Sequence, residues 1–194
     1  MKSPARERIL ETADDLFTRR GYGNVGINEI IERSGTAKAS FYQHFKSKDA
    51  LCLEWLNGWH CKTERECKAI LAQAVPAEKK ILNFFADLGK FLEEGDYRGC
   101  PFTNTATFLV ADSNPAIRVA IKSHKAFQHQ FFVSLTEELT TPARAIKLGA
   151  ALFLLYAGAT MESQNLRDTW PVAAARGAAR ELCRAYARPS TVPA

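Results

Sequence analysis

Gly35-Thr36-Ala37-Lys38-Ala39-Ser40-Phe41-Tyr42-Gln43-His44-Phe45-Lys46-Ser47-Lys48-Asp49-Ala50-Leu51 is the stretch that decides how this chain folds. Gly35 breaks whatever precedes it, and Ala37 to His44 then reads as a short helix. Ser47 is a helix cap with Asp49 in the following first turn, where a carboxylate meets the positive end of the helix dipole. Upstream, Ile27 to Ser34 reads as another short helix, with Gly26 as an acceptable cap. Earlier still, Ile9, Leu10, Ala13, Leu16 and Phe17 recur at helical spacing on one face. Ser3-Pro4 is expected to open that first helix and Gly21 to end it. Two short helices joined by a glycine-containing turn make a helix-turn-helix. An ordinary helical hairpin has the same spacing, so the pattern alone leaves both readings open.

Downstream the pattern stays helical. Ser47 caps a long fourth helix. Ile81, Phe84, Phe85, Leu88, Phe91 and Leu92 form a stripe at helical spacing, closed by Gly95. Residues 96–101 read as a loop, and Thr103-Asn104 as the cap of a short helix ending near Asp112. Asn114-Pro115, Thr141-Pro142 and Trp170-Pro171 each start a further helix, reaching about Leu139, Gln164 and Ala187. No strand pattern or repeat is visible. The expectation is an all-α chain of about nine helices: a three-helix domain over 1–48, a helical bundle over 49–188 and a tail over 189–194.

The 194 residues carry a formal net charge of +5, with 46% hydrophobic and 24% charged residues. Arg33, Lys38, Lys46 and Lys48 fall in a stretch without Asp or Glu, a local excess suited to phosphate. It also fits a plain solvated basic loop. Met1 to Asp15 is charged throughout and has no apolar h-region, so no secretory signal is expected. Leu148 to Met161 is the longest apolar stretch and is shorter than the roughly 18 residues of a membrane span. It reads as a buried helix, and a cytoplasmic protein with no membrane partner is expected. Five cysteines at irregular spacing, with no CxxC pair, argue for reduced thiols.

Beyond spacing, Gly21-Tyr22, Ile27-Asn28-Glu29-Ile30, Ser34-Gly35-Thr36, Lys38 to Phe45 and Lys46 to Leu51 together resemble the N-terminal signature of TetR-family (tetracycline-repressor-like) transcriptional regulators. The likeness spans about residues 6–56. It implies a DNA-binding helix-turn-helix whose third helix enters the major groove, a channel about 12 Å wide. It also implies that Lys38, Ser40 and Tyr42 lie on or near the groove-facing side, with Ala39 among them. Tyr42, His44 and Lys48 are then phosphate contacts, and the Gln43 amide can pair with adenine. Asn28 reads as a DNA contact or as a cap. Phe41, Phe45, Ile30, Leu16 and Phe17 are expected inside. Some positions depart from the family pattern. Ala37 stands where a Ser is common, so Thr36 is expected to take over the cap as well as approach DNA. Ile31 is larger than the usual Ala.

The resemblance further implies a homodimer, a repressor more readily than an activator, and a small-molecule effector of apolar or aromatic character held between the fourth and seventh helices. Trp59, Phe84, Phe91, Cys100, Phe102, Phe108, His124, Phe127 and Gln128 are the expected effector residues, close packing being the alternative for each. Cys100 reads either as a reactive effector-site thiol ahead of a helix start or as an inert loop cysteine. For the dimer contact, the helix carrying Leu148 to Met161 and the stripe Val172, Ala175, Ala179, Leu182 and Tyr186 are expected, unless both are core. Arg176, Arg180, Arg184 and Arg188 read as a solvated or rim row. Effector binding is expected to tilt the fourth helix and change the spacing of two recognition helices, which two half-sites set at about 34–36 Å. The rival readings are a helical thiol-dependent enzyme or metal-binding protein, and a helix-turn-helix protein that works through protein partners. No catalytic constellation, metal-ligand spacing or phosphate loop is readable, so no enzyme activity, metal or cofactor is expected.

Overall fold

The computed structural model describes residues 4–110 and 114–187. Among these there are nine helices, one 3-10 turn and no strand. The helices are α1 (Pro4–Arg20), α2 (Ile27–Arg33), α3 (Lys38–His44), α4 (Lys48–Leu71), α5 (Ala77–Glu94), α6 (Pro101–Ala106), α7 (Pro115–Thr136), α8 (Pro142–Leu166) and α9 (Trp170–Tyr186), with the 3-10 turn at Tyr22–Asn24. Ser3, Asp112, Arg188 and the tail 189–194 lie outside the described residues.

Two compact units are formed. One falls within Met1–Thr63 and Cys100–His124, the other within Glu64–Gly99 and Lys125–Ala194. This packing division cuts α4 and α7 and differs from the expected cut after residue 48. Apolar packing explains it. The core around Ile9, Phe17, Phe41 and Phe45 continues through Leu51, Trp55 and Leu56 of α4 to Phe102 and Ile117, so the first four helices do not close a core on their own.

In the first unit, Gly26 is the cap of α2 and Gly35 takes φ 60° in the turn before α3. Ser47 Oγ accepts the Ala50 N–H at 3.0 Å and so caps α4. Thr36 does not cap α3. Ala37 holds that position with no side-chain bond, because the Thr36 hydroxyl is engaged with Ser34 Oγ at 2.8 Å. The short helix α6 also starts earlier than expected. Cys100 is its cap residue and Pro101 its first position, a place where proline's missing N–H costs nothing.

In the second unit, Ile81, Phe85, Leu88 and Leu92 of α5 pack with Leu148 and Leu152 of α8 and Val172, Ala175, Ala179 and Cys183 of α9. Gly149 lets the α8 backbone approach α7, since a β-carbon there would stand 2.6 Å from Val133 Cα. Thr136 Oγ1 donates across the same approach to Ala145 O at 2.9 Å. By length and composition alone α8 would pass for a membrane-crossing helix. Here Leu148 and Leu152 are fully buried in the core. The expected α9 dimer stripe is therefore largely core: Val172, Ala175 and Ala179 are buried and Leu182 and Tyr186 half-buried. The apolar stripe of an amphipathic helix is spent on its own core first. Arg176 is not a free rim charge either, because its Nε donates to Leu82 O at 2.9 Å. Arg184 pairs with Glu181 at 3.2 Å.

Candidate nucleic-acid interface

Phe41 is the one buried residue of α3. It anchors the helix beside Phe45, Ile30, Leu16 and Phe17, all of them buried as expected. With that anchor set, Lys38, Ala39, Tyr42 and Gln43 face solvent, and Ser40 and His44 are half-buried. The Tyr42 ring meets Phe41 edge-on at 5.4 Å and is still 44% exposed, so its hydroxyl is carried outward on a braced ring. Asn28 is exposed at the second position of α2 and Thr36 is half-buried.

Lys48 is less available than the sequence suggested. Its Nζ donates to Tyr22 O at 3.1 Å and to Val25 O at 3.0 Å, and sits 4.4 Å over the Tyr22 ring. The Tyr22 hydroxyl in turn donates to Asp49. Burial first, then that bond and the carboxylate's charge, push the tyrosine well above its ordinary pKa. The ammonium at the start of α4 is thus positioned by the 3-10 turn. Sequence reasoning named Tyr22 only as part of a motif; the partnership joins positions 26 residues apart, and no periodicity reports it.

The acidic group of Glu29, close to the interface, is neutralised by its neighbours. Glu29 accepts from Arg20 and lies 3.8 Å from Arg33. Arg8 donates to Ser34 O at 3.2 Å, tying α1 to the turn before α3. Lys38, Lys46 and Arg33 are exposed, which leaves a basic surface around α3.

The expected effector residues divide between the units. In the first, Trp59 donates its indole N–H to Asp14 at 3.0 Å, and Trp55 donates to the same carboxylate at 2.6 Å. Trp59 is thereby a strut between α1 and α4. His124 is buried, lies flat against Phe102 with ring centres 3.5 Å apart, and has its Nδ1 3.0 Å from His60 Nδ1. Cys100 is buried. Phe108 is 38% exposed and rests on Gly21 and Gly23 beside the 3-10 turn, so it does not line the interior as expected. In the second unit, Phe84 meets Phe85, Phe131, Phe132 and Tyr156. Gln128 is buried and donates to the Tyr156 hydroxyl at 2.8 Å; Phe127 is half-buried. Phe91 is 44% exposed, one position off the buried line of Leu88 and Leu92, and is also not interior.

Cys61 is exposed while Cys52, Cys67 and Cys183 are buried with Cys100. Desolvation pushes the Cys52 and Cys67 thiols up to about 12 and Cys183 to about 11. Among the described residues no group of three or more His, Cys, Asp or Glu is placed to hold a metal ion.

Comparison with known proteins agrees with this surface. The family described as "Bacterial regulatory proteins, tetR family" matches residues 9–54. The HTH-type transcriptional repressor DhaR of Mycobacterium sp. (strain GP1) is 30% identical over 109 residues, 56% of this chain and 54% of that protein. The chain thus spans about half of DhaR. An uncharacterised HTH-type transcriptional regulator, YxaF of Bacillus subtilis (strain 168), is 27% identical over 177 residues, 88% of this chain and 91% of YxaF. A TetR-family transcriptional regulator from Streptomyces coelicolor has the same fold, with a TM-score of 0.86 over 96% of this chain and 91% of its own, at 23% identity. Fold and surface define a helix-turn-helix DNA-binding regulator of transcription. It is residues 9–54 that carry the likeness to the TetR family.

Proposed function

We propose that the protein is a cytoplasmic, dimeric repressor that leaves its operator when a small apolar or aromatic molecule binds. The observation that carries this reading is the division of α3 into one buried anchor, Phe41, and an exposed set of Lys38, Ala39, Tyr42 and Gln43. In it, Gln43 reads base edges, and Tyr42, His44 and Lys48 meet phosphates, with Asn28, Thr36, Ser40 and Ala39 alongside. One such helix reads too few bases, so a second copy supplies the other half-site. Ile146 and Leu154 of α8, with Leu166 and Trp170, are exposed apolar residues that support α8 and α9 as the dimer contact.

The repressor sense draws on DhaR, which carries that description. The effector reading draws on the aromatic second unit, where Phe84, Phe127 and the Gln128–Tyr156 pair combine apolar walls with a polar pair. Effector binding shifts the population toward a state in which α4 is tilted and the half-site spacing no longer matches.

The test is fluorescence anisotropy with labelled duplex fragments of the gene's own promoter across a salt series. Tyr42→Ala is expected to weaken binding with little change in thermal stability, because the ring is largely outside the core. Lys48→Ala is expected to lower the salt slope by about one unit. It also costs some stability, because Tyr22 and Val25 carbonyls lose their donor. Sequence-independent binding by the wild type, or a monomer by light scattering at micromolar concentration, would overturn the reading.

A further inference from the structure

Phe108 lies in the segment after α6, where a residue 38% exposed would ordinarily be incidental. Its ring, however, rests on bare backbone. A β-carbon at Gly21 would stand 2.6 Å from Phe108 Cε2, and one at Gly23 would collide with Cδ1 and Cγ. Both glycines are therefore required for the ring to seat, and Gly21 also takes φ 80°. Tyr22 lies between them. Its carbonyl holds the Lys48 ammonium, and Val25, two residues past Gly23, supplies the second carbonyl.

The other end of this contact is also fixed. Phe108 N–H closes the last turn of α6 on Thr105 O at 3.1 Å. Arg118 of α7 donates to Leu109 O at 3.3 Å and to Val110 O. A continuous set of contacts in the first unit thus runs from α7 through the strand of chain at 108–110 to the 3-10 turn, and from there to the first residue of α4. An aromatic ring lying on the turn restricts the peptide planes whose carbonyls aim Lys48.

We propose that Phe108 is a positioning residue for operator binding: seated on Gly21 and Gly23, it holds the 3-10 turn so that Lys48 and the entry to α2 are set for DNA. The proposal rests on the DNA-binding roles given above for α3 and Lys48. It differs from a general packing role in one respect. The three atoms nearest to a β-carbon at Gly23 all belong to Phe108. An alanine at 23 should therefore do harm only while the ring is there.

The experiment is a double-mutant cycle in the full chain: wild type, Phe108→Ala, Gly23→Ala and the pair. It is read by promoter-duplex anisotropy and, without DNA, by amide hydrogen exchange. Phe108→Ala is expected to speed exchange over residues 22–30 and to weaken duplex binding roughly tenfold. Gly23→Ala is expected to weaken binding by a similar factor in the wild type and to add little in the Phe108→Ala background. Unchanged exchange in Phe108→Ala would overturn the proposal, as would a Gly23→Ala loss of the same size in both backgrounds. If exchange responds and the wild type shows no preference for its promoter duplex, the DNA reading itself fails. The operator role of Phe108 falls with it, and the measured coupling to the turn stands.

Discussion

The two units of the chain are held together by different means. The first relies on polar ties at fixed points: Asp14 with the indoles of Trp55 and Trp59, Lys48 with two carbonyls, Tyr22 with Asp49, and Arg6 with Glu54. The second also has polar ties, among them Thr136 to Ala145 O and Arg176 to Leu82 O, but its distinguishing feature is a cluster of rings. Phe84, Phe85, Phe131, Phe132, Phe153 and Tyr156 meet one another at tilted or edge-on angles, with centres 5.1–6.5 Å apart. Hydrogen bonds are directional and fix register, whereas ring contacts tolerate small rotations and slides. A surface that must match the spacing of phosphates needs the first kind of packing. A body packed by the second kind can readjust its side chains without losing contact.

The largest effect that separates them should come from the ring cluster. Phe132 is 1% exposed and touches five other rings. Phe132→Ala is expected to cost about 3–5 kcal/mol in urea unfolding, the usual range for emptying a buried phenylalanine site. A loss below 1 kcal/mol would mean that the cluster repacks freely.

A middle-sized effect is expected at Asp14. Asp14→Ala removes one carboxylate and strands two indole donors, and about 2 kcal/mol should be lost. The same variant should shift the tryptophan emission, because Trp55 and Trp59 both lose their partner while Trp170 is untouched. An unshifted spectrum with wild-type stability would show that the polar ties are dispensable and would remove the contrast drawn above.

The smallest effect at neutral pH, growing as pH rises, belongs to the buried thiols. Cys52 and Cys67 are held at about 12 and Cys183 at about 11, above the ordinary value of 9.0, chiefly by desolvation. A raised value means that the folded state keeps the proton longer than the unfolded chain does. The stabilisation is complete below pH 9 and is lost progressively from there, up to about 11 for Cys183 and about 12 for Cys52 and Cys67. Urea midpoints should therefore fall between pH 9 and 11, and Cys67→Ala should flatten part of that fall. An equal fall with and without Cys67 would place the alkaline sensitivity elsewhere.

Much of the first unit was readable from local pattern. Ser47 caps α4, Gly26 caps α2, and Phe41 and Phe45 point inward, because caps and helical periodicity act over one or two turns. The interior residues of the body were less readable. Phe84 and Phe91 have the same residue type and lie seven positions apart on one helix, yet Phe84 sits among rings and Phe91 is largely exposed. Phe108 and Trp59 were expected at an effector site, and the structure places them against Gly21 and Gly23 and against Asp14 of α1. Which partner an aromatic finds depends on contacts tens of residues away, and a local pattern holds no record of them.

Residue order alone determined the helical class, the helix starts marked by Pro115, Pro142 and Pro171, and the exposed face of α3, because hydrogen bonding and apolar period are local properties of the chain. Only the tertiary structure decided that Lys48 is aimed by Tyr22 and Val25, that Asp14 joins two tryptophans, and that Phe108 rests on two glycines. Each of these joins residues 23 to 87 positions apart, where chain connectivity sets no distance and packing alone brings the groups together.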